Sequence, residues 1–183
     1  LNWNVEVDVD WTPEFKDVGT EEFEFENNQW SEHPVYKTWD KEKRLEFIKD
    51  LNAWSTSQFL HGEQGALLVA SQLASCAPTF NAKLYAASQT FDEARHVEAF
   101  NKYLQTRIQR TWPIGRALKG LLDKILTDPR WDLKIIGMQV VIEGLALAAF
   151  NASKNATSDP VLYEMLDYII RDEARHVTFG INY

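Results

Sequence analysis

The sequence predicts an all-α protein: two antiparallel helix pairs forming a four-helix bundle with one crossover connection, preceded by an irregular N-terminal arm. Three observations predict it. Stretches of helical apolar periodicity run from about 40 to 76, 79 to 109, 130 to 156 and 160 to 181. Pro78, Pro113, Pro129 and Pro160 punctuate them. The six residues Asp-Glu-Ala-Arg-His-Val occur twice, at 92–97 and 172–177, an offset of 80. Glu63 to Val97 can then be laid over Glu143 to Val177, with Ala66 and Leu67 falling on Ala146 and Leu147. A fused duplication is the simplest cause.

Taken in order, residues 1–39 hold Trp3, Trp11, Trp30 and Trp39 among acidic residues and prolines, with brief alternation at Val5, Val7 and Val9. They read as an arm that lays aromatics on the main body, residues 40–183. The first two long helices form a hairpin turning at Pro78. Ile114, Leu118, Leu121, Leu122 and Ile125 give a short amphipathic helix, the expected crossover between halves. Asp128-Pro129 and Asp159-Pro160 each place a capping acid before a proline tolerated in the first helical turn, so they are expected to start the third and fourth helices. Glu63 lies 15 residues before Pro78 and Glu93 lies 15 after it, while Glu143 and Glu173 lie 15 either side of Ser158. At about 1.5 Å per residue each carboxylate is roughly 22 Å from its turn, so the four are level in an antiparallel bundle.

Composition narrows the function classes. A chain of 183 residues, 45% apolar and 25% charged, suits one soluble domain with a sizeable core. Its net charge of −8 argues against non-specific nucleic-acid binding. Cys76 is the only cysteine, so no internal disulfide, zinc ribbon or Cys-x-x-Cys pair can form, and a reducing cytoplasm fits. With no uninterrupted 18-residue apolar run and no basic-then-apolar leader, neither membrane spanning nor secretion is expected. The chain opens at Leu1 rather than Met, and its last candidate ligand lies seven residues before Tyr183, so a longer or processed chain is expected.

Each copy of the repeat carries Glu-x-x-His. On a helix, residues i and i+3 share a face, so Glu93 with His96 and Glu173 with His176 are two pairs of potential metal ligands. Glu63 and Glu143 each precede a pair by 30 residues and complete the set. Both sit in apolar surroundings, Glu143 within Gly137 to Phe150 and Glu63 within Phe59 to Val69. A buried carboxylate costs several kcal/mol to desolvate, and four together repel. Two divalent cations would match the four negative charges, and oxygen donors mixed with imidazole suit iron or manganese. His61 is expected to be a helix-face histidine rather than a seventh ligand, and His33 is given no role.

On these six residues the chain, over about 40–181, resembles the ferritin-like di-iron carboxylate superfamily, in its ribonucleotide-reductase-like and oxygenase branch. The resemblance implies two iron ions, with manganese or a mixed manganese–iron pair as the alternative, held by Glu63, Glu93, His96, Glu143, Glu173 and His176. It also implies that Asp172 takes the free ring N–H of His96 and Asp92 that of His176, with Arg95 and Arg175 closing the network. The implied activity is that of an O2-dependent oxidoreductase, a monooxygenase or oxidase, with electrons from a separate ferredoxin or reductase. Departures narrow the subfamily. Phe100 stands where the radical-forming members carry tyrosine, Ala94 where bacterioferritins carry a haem-binding methionine, Ile169 where aminobenzoate N-oxygenases add a histidine, and Leu147 where methane- and toluene-type hydroxylases carry threonine.

The expected surroundings of the site are apolar: Phe59, Ala66, Leu67, Ala70 and Phe100 from the first pair, Ala146, Leu147 and Phe150 from the second. They would suit hydroxylation or N-oxygenation of a mostly apolar small molecule. Gly62, Gly65 and Gly144 flank the single carboxylates at a cost of about 1 kcal/mol each against alanine, which points to a local bulge or a close substrate approach. Iron storage by a ferritin-like cage is the competing reading. The arm and the insertion from Arg110 to Pro129 are awkward in a cage subunit, and a monomer or homodimer is expected instead.

Overall fold

Side-chain caps fix where the first three helices begin. The structure, a computed structural model, describes residues 2–17 and 28–183; Leu1 and residues 18–27 of the arm lie outside the described residues. His33 Nδ1 accepts the Val35 N–H ahead of a single turn, α1 (Pro34–Lys37). Asp40 accepts the Lys43 N–H at 2.8 Å and starts α2 (Lys41–Cys76), and Thr79 accepts the Ala82 N–H at 3.3 Å ahead of α3 (Phe80–Tyr103). A π-helical turn, Leu104–Ile108, ends α3, and Gln109 stops it with a left-handed φ of 55°. A shorter helix follows, α4 (Arg116–Thr127). One continuous helix then comprises α5 (Trp131–Lys134), a π-helical segment Ile135–Ile142, and α6 (Glu143–Ala156); α7 (Pro160–Asn182) follows. The described residues contain helices and no strand.

Two expected starts differ in detail. Asp128 does accept a backbone N–H, that of Arg130 at 3.0 Å, but the helix opens only at Trp131, so Pro129 precedes it. Pro160 does occupy the first turn of α7, yet the Asp159 carboxylate makes no cap. It accepts the Tyr103 hydroxyl at 2.7 Å and Arg107 at 3.2 Å, tying the end of α3 to the start of α7.

Short connections make α2–α3 and α6–α7 antiparallel pairs, which pack on one another through α3 with α7 and α2 with α6. Two apolar cores result. Leu60, Phe100, Tyr103, Phe150, Met165 and Ile169 belong to one, Val69, Leu73, Ala86, Ile135 and Met138 to the other. On α2, α3 and the Trp131–Ala156 helix, the candidate ligands fall in the interval between these cores. The level carboxylates thus form a polar layer with apolar packing above and below, where water has little access.

The arm packs into the first core. Trp3, Val5 and Val9 are buried there while Val7 is exposed, because the Asn4 carbonyl accepts the N–H groups of Val7 and Asp8 and folds the segment into a turn. Trp30 and Trp39 pack edge-on against Phe47 of α2. Helix α4 sits close to the body because two glycines make room for it. A Cβ on Gly65 would lie 2.5 Å from Leu122, and one on Gly137 2.9 Å from Ile125.

The Trp131–Ala156 helix is, by length and composition alone, long and apolar enough to cross a membrane, although it holds no uninterrupted apolar run of 18 residues. Glu143 interrupts the run. That side chain is buried in the polar layer, while Ile136 and Leu145 on the same helix are exposed.

Candidate metal centre

Three-residue spacing on α3 and on α7 puts Glu93 with His96, and Glu173 with His176, on inward faces. The matched depth of Glu63 on α2 and Glu143 at the start of α6 sets these two carboxylates in the same layer. All six residues predicted as ligands are at most 3% exposed. They form two overlapping groups whose donor atoms lie within 4.8 Å of one another: Glu63, Glu93, His96 and Glu173 in the first, Glu93, Glu143 and His176 in the second.

Both imidazoles turn Nδ1 inward. His96 Nδ1 lies 3.1 Å from Glu63 and Glu173 and 3.4 Å from Glu93, and His176 Nδ1 lies 3.1 Å from Glu93 and 3.5 Å from Glu173. Glu93 and Glu173 therefore stand between the two histidines. The outward nitrogens meet aspartates from the partner helix pair, His96 Nε2 with Asp172 at 3.2 Å and His176 Nε2 with Asp92 at 3.3 Å. An Nε2–H donated to an aspartate leaves the Nδ1 lone pair free for an ion.

Arg95 and Arg175 lie across both aspartates. Arg175 donates to Asp172 at 2.6 Å and to Asp92 at 3.2 Å; Arg95 donates to Asp172 at 3.2 Å and also to Asp92. Sequence reasoning missed two further participants. Trp3, from the arm, donates its indole N–H to Asp172 at 2.7 Å. Gln89, one turn before Glu93, donates to Glu143 at 2.7 Å and to Glu93 at 3.1 Å. Gln89 could have been found as the i−4 neighbour of a ligand, whereas no local signal marks Trp3 among the arm's tryptophans.

The electrostatics show a layer short of positive charge. Burial, then the neighbouring charge of Glu173, pushes the carboxyl of Glu63 well above the ordinary range, and the same two causes raise that of Glu143. Burial works against a charged His96, but Asp172, Glu173, Glu63 and Glu93 outweigh it and hold its pKa well above the usual imidazole value; Glu93 and Asp92 do the same for His176. Burial would also raise Glu93, yet the two histidines hold it far below the carboxylate range. Protons on these groups do what bound cations would do.

Unpaired atoms test the fit to a metal. Glu93 Oε2, Glu143 Oε2, both Glu173 oxygens and His176 Nδ1 are buried with no hydrogen-bond partner among the described residues. A buried carboxylate oxygen without a partner costs about 1–3 kcal/mol or more. Here the orphans converge on one volume, the pattern left when inner lone pairs are reserved for ions. This buried group of Glu and His residues could hold a metal ion.

A cavity of about 220 Å³ adjoins the layer between α2 and α6, beneath α4. Of the expected pocket residues, Phe59, Ala66, Ala146 and Phe150 line it; Leu67, Ala70, Phe100 and Leu147 do not. Leu67 and Leu147 each lie one position, about 100° around the helix, beyond the lining alanine, and Ala70 is packed in the body of the protein. Phe100 is fully buried behind the wall, against Phe59 and Phe150. Gly62, Ile142, Ala149, Leu118 and Leu121 also line it, with Gln58 and Leu145 at its edge. His61 stays outside the cluster, bonding the Trp112 carbonyl at 3.0 Å.

No protein-family model, curated protein or solved structure matches the chain. The residues and their geometry therefore carry the functional reading.

Proposed function

We propose that the protein is a ferritin-like four-helix carboxylate protein with one crossover, of the ribonucleotide-reductase-like and oxygenase branch. In this reading it acts as an O2-dependent oxidoreductase on a mostly apolar small molecule. One observation carries the reading: Glu63, Glu143 and Glu173 of the buried Glu and His group line an otherwise largely apolar cavity, and Glu143 Oε2 and both Glu173 oxygens have no hydrogen-bond partner. A purely structural polar layer would be internally satisfied. A carboxylate site for hydrolysis or proton transfer would call for water at its edge rather than phenylalanines and leucines.

Glu63, Glu93, His96, Glu143, Glu173 and His176 would hold two iron ions, or manganese in the same donor set. The bound pair supplies O2 activation, which amino-acid side chains cannot. The chain's own residues do the rest. Asp172 and Asp92 hold the two rings so that Nδ1 faces inward, while Arg95 and Arg175 balance those aspartates. Gln89 orients Glu93 and Glu143. Phe59 and Phe150, edge-on at 4.9 Å, exclude water from one side of the layer. Electrons would come from a ferredoxin or reductase in the cytoplasm.

The test is elemental analysis of the purified protein together with its particle size and substrate-dependent O2 uptake. About two ions per chain in a monomer or dimer, with uptake that depends on an added apolar compound, is the expected result. A 24-subunit particle with a mineral core would replace this reading with iron storage.

A further inference from the structure

The duplication did not make two equivalent sides of the metal layer. Residues 62 and 142 occupy matching places one step before the single carboxylates, and both line the cavity. One is glycine and the other isoleucine. A Cβ built on Gly62 would meet nothing within 4 Å, so the missing side chain is open space rather than a close helix contact. Gly65, by contrast, is needed to admit α4.

We infer that this cavity is a binding site for a neutral, apolar molecule about the size of one substituted benzene ring, and that Gly62 sets its capacity. The inference rests on the proposed function, since it names the class of substrate that site would take. Three features carry it. First, a volume of about 220 Å³ exceeds the roughly 150 Å³ of an apolar cavity that takes benzene, which leaves room for a substituent on one ring but not for a long chain. Second, the lining offers no cation for a carboxylate or phosphate. Its one amide, Gln58, is already engaged, accepting the Gly115 N–H at 2.7 Å and donating to the Pro113 carbonyl at 3.1 Å. Third, the only ionisable lining groups are Glu63, Glu143 and Glu173, so bound ions would leave the ligand facing the metal layer and otherwise only hydrocarbon. Leu121 and Leu145, both exposed, flank the cavity from α4 and α6 and mark its way in.

Equilibrium partition of ethylbenzene from headspace onto the purified, metal-loaded protein tests this. Phenylacetate serves as its charged near-isostere and 1-phenyldecane as an oversized relative. Ethylbenzene is expected to bind one per chain, with phenylacetate and 1-phenyldecane at least tenfold weaker. Gly62→Leu is expected to weaken ethylbenzene at least tenfold while helicity and metal content stay at wild-type levels. Ala149→Leu, which fills the same cavity from another helix, should do likewise and stands in if the first variant does not fold. Equal ethylbenzene binding by wild type and folded filling variants, or phenylacetate or 1-phenyldecane binding as tightly as ethylbenzene, would overturn the inference. Metal without ethylbenzene binding would sink this inference and spare the proposed function; ethylbenzene binding by a protein that takes up no metal would do the reverse.

Discussion

Laid over one another with the offset of 80, the segments 63–97 and 143–177 agree at every candidate ligand and disagree at most positions around them. Glu63 follows Gly62 in an uninterrupted α-helix, whereas Glu143 follows Ile142 at the end of a π-helical segment. Phe59, one turn before Glu63, corresponds to Gln139, and Gln89, one turn before Glu93, corresponds to Ile169. Because the pairs are antiparallel, these substitutions sort by side. Phe59 and Ile169 belong with the core that contains Phe100 and Phe150, while Gln89 and Gln139 meet at 3.4 Å on the opposite side. The comparison separates two constraints. Charge balance holds the ligands fixed, since four carboxylates and two imidazoles suit two divalent ions. Packing around the layer leaves the neighbours free to diverge.

If the halves are equivalent toward metal, their single carboxylates should be equally indispensable. Glu63→Ala and Glu143→Ala are each expected to lower bound metal to below half of wild type, and Glu93→Ala or Glu173→Ala to abolish it, because these two stand between both histidines. Elemental analysis reads all four. Wild-type metal in Glu143→Ala alone would break the equivalence.

The supporting aspartates should give the next largest effect. Asp172→Asn and Asp92→Asn are expected to weaken metal binding by about 10–100-fold in chelator competition. Trp3→Phe should weaken it less, since only Asp172 loses a donor and its arginines remain. A Trp3→Phe effect as large as that of Asp172→Asn would mean that the arm, not the repeat, orients His96.

Acidity should then act on both halves together. Metal uptake must displace protons from Glu63, Glu143, His96 and His176, all raised above their ordinary values, so retention should fall as pH drops from 7 towards 5. The metal-free protein should show the opposite slope. A raised histidine contributes stability fully below its ordinary value of 6.5 and loses it as pH rises through the higher folded value; a raised carboxyl likewise loses its contribution above its ordinary 4.5. Glu93 and Asp172, both lowered, act in reverse and lose their contribution only at more acidic pH, as their folded values are crossed. Thermal unfolding with and without chelator from pH 5 to 8 should therefore give curves of opposite slope, and parallel curves would contradict the buried-charge picture.

Much of this was legible because it depends on counting along a helix. Glu-x-x-His spacing, the matched distances to Pro78 and Ser158, and the proline positions placed the six ligands in one layer and the helix limits within a few residues. What was not legible depends on rotation and on tertiary approach. Leu67 and Leu147 stand near the single carboxylates in sequence but miss the cavity wall, because the helix turns them about 100° away from the lining alanines. Leu118 and Leu121 reach the cavity because Gly65 and Gly137 admit α4, and the Gly65–Leu122 approach joins residues 57 positions apart. Trp3 reaches Asp172 across 169 residues of sequence.

The glycines give the smallest expected effects and sharpen the comparison further. Gly65→Ala must displace Leu122 and should destabilise the fold by about 1–3 kcal/mol. Gly144→Ala meets open space and should stabilise by up to about 1 kcal/mol through helix propensity. Denaturant titration of the two variants checks both signs.

Anomalous diffraction at the iron and manganese edges, from crystals of the protein as purified, reaches the centre of the matter. Two peaks are expected in the layer, one beside His96 Nδ1 and Glu63, the other beside His176 Nδ1 and Glu143, with Glu93 and Glu173 between them. An ordered layer without scatterers, its carboxylates turned to water or to one another, would contradict the metal site and the chemistry built on it.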